Sequence, residues 1–104
     1  MRLFAHGQIR EAKAHAAAGG QALHLWNPGQ GGWPGAPAVF NRAAGQGKPW
    51  GHLFDHNRLR LVRTARQLGV RIVVVANQGE PGQHVDLCGR PLQKAIAEAS
   101  KQGD

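Results

Sequence analysis

Two histidine–aspartate pairs, His52-x-x-Asp55 and His84-x-Asp86, flank an arginine-rich stretch and an all-aliphatic run. Imidazoles and carboxylates are the side chains with which proteins hold divalent metals or move protons near neutral pH. A Mg, Mn or Zn ion on His84 and Asp86 would lower the pKa of bound water, whereas a bare His–Asp pair supplies a general base with its orienting partner. Between the pairs stand Arg60, Arg63 and Arg66, whose guanidinium groups suit phosphate. No spacing matches a diagnostic motif. H-E-x-x-H and C-x-x-C are absent, and the single cysteine, Cys88, excludes a closed cysteine-rich zinc site and any internal disulfide. The Gly-x-x-Gly fragments at 32–35 and 79–82 open no helix directly, so neither is a phosphate-binding loop.

The elements that must position these groups can be read from periodicity. Leu3-Phe4-Ala5 is a short strand, and residues 8–18 are rich in alanine and charged helix formers before Gly19-Gly20 stop them. Ala22 to Trp26 is a second strand with a histidine in its middle, ended by Asn27-Pro28-Gly29. Residues 27–49 keep no period; they form a Gly/Pro-rich flap that Trp33, Val39 and Phe40 tie down and that has room for a short helix at 37–44. Trp50 to Phe54 is a strand, and Asp55 fits the N-cap of a helix over 56–68 with Leu61, Val62, Ala65 and Leu68 on one face. Ile72-Val73-Val74-Val75, apolar at both parities, predicts a central strand buried on both sides, in which Val74→Asp prevents folding. Pro91 opens a last helix with Leu92, Ala95, Ile96 and Ala99 on its apolar face.

That order indicates a single small α/β domain over 1–104. It has a mainly parallel sheet of three or four strands, about three flanking helices and the flap. Parallel sheets bind ligands outside the carboxyl ends of their strands. His6, Asn27, Asp55, Asn77 and the loop carrying His84 and Asp86 would then share one rim, with His52, Asp55, His84 and Asp86 as catalytic candidates and Asn27 and Asn77 beside the arginines for phosphate. Each has a plainer role open to it: helix cap for Asp55, buried hydrogen-bonded histidine for His52, carboxylate-oriented loop histidine for His84.

Lys and Arg number 13 against 6 Asp and Glu, a formal net charge of +7, which favours polyanionic partners. No run approaches the ~20 apolar residues of a membrane span, and the first residues lack a secretory signal's apolar segment, so the expectation is a cytoplasmic protein with no membrane partner. Three functions fit: binding of nucleic acid or a phosphorylated ligand at the rim, a metal-assisted hydrolase or nuclease, and a homo-oligomeric or partner-binding protein with the flap tryptophans in its interface.

Lys48-Pro49-Trp50-Gly51-His52-Leu53-Phe54-Asp55, then Leu61, Ala65, Leu68-Gly69, then His84-Val85-Asp86-Leu87 and a basic helix, resemble short bacterial and phage proteins grouped as domain of unknown function four-zero-three-one. The resemblance covers residues 48–99, with Val85 in place of an aromatic and Gly89-Arg90-Pro91 interrupting the run into the helix. It implies no activity, but it points to His52, Asp55, His84 and Asp86 as a shared site.

Overall fold

A computed structural model of the chain describes residues 1–29 and 32–102; Gln30 and Gly31 of the flap lie outside the described residues. The elements run β1 (Arg2–Phe4), α1 (Ile9–Ala17), β2 (Gln21–Trp26), α2 (Ala38–Gly45), β3 (Trp50–Asp55), α3 (Arg58–Gln67), β4 (His84–Leu87) and α4 (Gly89–Gln102). The four strands form one sheet in chain order. Only β1 and β2 are parallel; β2 with β3 and β3 with β4 are antiparallel. Among the described residues no helix is long and apolar enough to cross a membrane.

Strand alternation gives the sheet two different faces. On one, Leu23, Leu53, Val85 and Leu87 meet Leu61, Ala65 and Leu68 of α3 and Leu92, Ala95 and Ala99 of α4, which form the main core. Gly51 lets α4 come close, because a Cβ there would meet the Leu92 Cδ1 at 2.6 Å. On the other face, among the described residues, helices cover the two ends. Ala12 and Ala16 of α1 pack on Phe4, Ala22 and Phe54, and Ala43 and Ala44 of α2 pack on Trp50 and Cys88. Small side chains let both short helices lie close, and a polar band is left between them.

The mainly parallel sheet is thus corrected to a mixed one, and among the described residues there are four helices where about three were expected, the fourth being the short one for which the flap had room. The cause lies in residues 70–76. After α3 the chain does run parallel to β3, as a strand–helix–strand unit should. It then turns through residues 77–83 and comes back as β4, which takes the place beside β3. Residues 70–76 are left outside, joined to β4 through a single bridge in which Ala76 and His84 exchange both backbone bonds, at 2.8 and 3.1 Å. Val73 and Val75 turn inward against the core, while Ile72 and Val74 are 83% and 71% exposed. The aliphatic run has a partner on one side only.

The expectation for Val74→Asp therefore reverses. A carboxylate at so exposed a position should stay hydrated, so the variant is expected to fold with stability within about 0.5 kcal/mol of wild type. An unchanged urea midpoint would show this, and loss of the cooperative transition would contradict it.

Candidate metal centre

Register builds the site. His24 of β2 lies opposite His52 of β3, which lies opposite Asp86 of β4, while His84 lies opposite Phe54. Residues 24, 52, 84 and 86 have the same side-chain sense, on the face that α1 and α2 leave open at its middle. His84 and Asp86, expected in a loop, are strand residues, and this is why their side chains align.

Hydrogen bonding fixes the tautomers from one end of the row to the other. His24 is fully buried, and its Nε2 lies 2.8 Å from the His6 carbonyl oxygen, which can only accept. Nε2 therefore carries the proton and Nδ1 the lone pair. His52 Nδ1 lies 3.1 Å from that Nδ1, so His52 donates there and keeps its lone pair on Nε2. Burial pushes the His52 pKa down to about 4, against the pull of Asp86, so the ring is neutral near pH 7. His84 reaches the same arrangement independently, donating from Nδ1 to the Gly82 carbonyl oxygen at 2.8 Å and leaving Nε2 for the site.

Both Nε2 atoms face one carboxylate oxygen. His84 Nε2 is 3.2 Å and His52 Nε2 3.7 Å from Asp86 Oδ1. One ligand atom from each of His52, His84 and Asp86 lies within 4.8 Å of the others. Lone pairs on neutral nitrogens repel a carboxylate oxygen unless something positive lies between them. In the metal-free protein a proton on His84 would do this, and its surroundings favour it: burial lowers that pKa, but the Asp86 carboxylate and the Gly82 carbonyl outweigh it and the net direction is up. A divalent cation would satisfy all three groups, and the outward bonds of the two histidines are the kind that hold metal-bound imidazoles in orientation.

Lys13 of α1 adds a cation at the border, its Nζ 6.0 Å from the centre of the Phe54 ring, which itself touches His84 and His52. On the other border the Trp26 ring lies 5.5 Å from His52 and stacks on Trp33 at 5.8 Å and 14°. Trp50 is buried, donating from Nε1 to the Phe40 carbonyl oxygen at 2.7 Å. Cys88 is buried against it, and burial raises its thiol pKa.

Asp55 does not join the group. Because β3 runs opposite to β2, Asp55 pairs with Gln21, at the end of the sheet away from Trp26, and it belongs to the parity of the α3–α4 face. It is fully buried, and both of its oxygens are engaged. Oδ2 accepts from Arg60 Nε at 2.7 Å and Gln21 Nε2 at 2.9 Å; Oδ1 accepts from Arg60 Nη2 and the Asn57 amide, both at 2.8 Å. Nor does it cap α3; Asn57 does, accepting from the Arg60 amide at 3.0 Å. Arg60 also donates to the Gly19 carbonyl oxygen at 2.8 Å, so its guanidinium joins three segments instead of facing outward. Arg63 and Arg66 are exposed on α3, across the sheet from the histidines. The Asn27 side chain accepts from the Gly29 amide, and Asn77 occupies a turn at φ 54°.

Sequence reading missed His24 and Lys13. His24 carried one signal, a polar residue in mid-strand with the parity of Ala22 and Trp26, but only the register shows which residue it faces. No family model matches the chain, and no curated protein or solved structure matches it.

Proposed function

We propose that His52, His84 and Asp86 hold a divalent metal and that the loaded centre hydrolyses a phosphoester. The observation that carries this reading is the convergence of the Nε2 atoms of His52 and His84 and a carboxylate oxygen of Asp86, each imidazole held by a hydrogen bond at its other nitrogen. Two nitrogens and one oxygen suit Zn or Mn better than Mg, which prefers oxygen and water. Three protein ligands leave a position for water, whose pKa a bound metal brings toward neutrality. Lys13 stands where it can meet a phosphate oxygen as charge develops, and the net charge of +7 favours an anionic substrate at long range. We extend the reading to the proteins that residues 48–99 resemble, with three of the four residues singled out by that resemblance as ligands and Asp55 as a structural clasp.

Thermal melting with added Zn, Mn and Mg tests the centre. A metal at 100 times its Kd adds about 2.7 kcal/mol. For a domain of this size that raises the melting temperature by roughly 10 °C or more. Release of phosphate from a generic phosphoester should then require the same metal. A melting temperature indifferent to all three ions would sink the proposal.

A further inference from the structure

We propose that a hollow beside the metal centre binds an aromatic or bulky apolar group esterified to the phosphate, so that the substrate is a small aryl-type phosphoester and not a polynucleotide. This deepens the reading above and rests on it.

The hollow, about 860 Å³, lies between α2, β4 and the outlying residues 69–76. Its size is within the ~300–1,000 Å³ of small-molecule sites. Four of the chain's exposed large apolar side chains meet there: Trp33, Val39, Ile72 and Val74, at 54%, 50%, 83% and 71% exposure. Gathered apolar exposure of this kind in a concave surface marks a binding site.

Two features connect the hollow to the chemistry. Asp86 belongs both to its lining and to the metal triad. Trp33, also in the lining, stacks on Trp26, which touches His52. An apolar group in the hollow would therefore hold its phosphate at the ligands. The β4 edge adds a polar handle. His84 spends its outward amide and carbonyl on Ala76, and ladder alternation turns those of Asp86 the same way, where residues 72–74 have moved off. A polynucleotide would need cations along its path, yet among the described residues Arg71 is the one cationic residue in this lining.

Two phosphonates that resist hydrolysis, 1-naphthylmethylphosphonate and methylphosphonate, share a head group and differ in the apolar part. Titrated into zinc-loaded protein by calorimetry, with tryptophan fluorescence as a second readout, the naphthyl compound should bind roughly 50- to 100-fold tighter. The double variant Ile72→Ser, Val74→Ser alters two exposed residues and should fold. It is expected to remove about 10-fold or more of that preference while zinc and methylphosphonate bind as before. Equal affinities for the two phosphonates, or a preference untouched in the double variant, would overturn the inference. So would a single-stranded oligonucleotide that displaces the naphthyl compound and loses affinity in the double variant, or a wild-type dimer that this variant makes monomeric.

The same titration in metal-free protein separates this inference from the metal reading. Naphthyl quenching that depends on Ile72 and Val74 without any zinc binding removes the metal alone. Zinc binding without naphthyl preference removes the hollow alone.

Discussion

Asp55→Ala is expected to cost about 3–5 kcal/mol, a large fraction of the whole stability of a small domain. The carboxylate is fully buried and accepts four hydrogen bonds, two of them from Arg60. Removing it leaves the Asn57 amide and the Asp55-facing edge of the guanidinium without their acceptor, and leaves Gln21 Nε2 with only the Thr64 hydroxyl; the guanidinium also donates to the Gly19 carbonyl oxygen after α1. The end of β3, the start of α3 and the turn into β2 would loosen together. Arg60→Ala should cost less than Asp55→Ala, since the arginine side chain is 40% exposed and can leave water in its place, but the carboxylate it abandons is still buried. Urea unfolding of both single variants and the double variant gives the coupling. A double variant hardly worse than Asp55→Ala fits one clasp; a loss below about 1 kcal/mol for Asp55→Ala would show that the carboxylate is not the clasp described.

What could be read in the sequence was local. Helices over 8–18 and 56–68 and the helix opened near Pro91 follow from alanine content, apolar period and glycine stops, and each lies within a residue or two of its place. The strand at Ala22–Trp26 and the one starting at Trp50 also stand. Pairing was not readable. Ile72 to Val75 has the composition of a central strand, but composition does not say which neighbour takes the place beside β3. A four-residue strand of mixed polarity, His84-Val85-Asp86-Leu87, won it because Val85 and Leu87 fill the α3–α4 side while His84 and Asp86 meet His52 on the other. The same reversal of direction decides the site. In a parallel sheet Asp55 would have shared a rim with Asn27; with β3 antiparallel to β2 it goes to the far end, and the middle of the sheet face becomes the meeting place instead. His52, His84 and Asp86 were identifiable by residue type, but His24 was not, because its role depends wholly on the residue opposite.

Substitutions along the histidine row should give two distinct levels of loss. Asp86→Ala removes a half-exposed side chain and His84→Ala a ligand on the edge of the sheet, so each should leave a folded metal-free protein with no melting response to zinc. His24→Phe keeps a buried ring but takes away the acceptor for His52 Nδ1–H, so His52 loses both its fixed tautomer and its orientation. Zinc affinity should then fall by about 10- to 100-fold without vanishing, the usual effect of removing a hydrogen bond behind a metal-bound imidazole. His24→Gln, which still offers an oxygen to His52, is expected to recover part of the loss. Competition with a chromophoric chelator measures each constant directly, apart from any turnover. If His24→Phe binds zinc as wild type does, the imidazole row is packing only. If Asp86→Ala keeps the full zinc response, the metal is held elsewhere and the convergence of the two Nε2 atoms on Asp86 serves the proton alone.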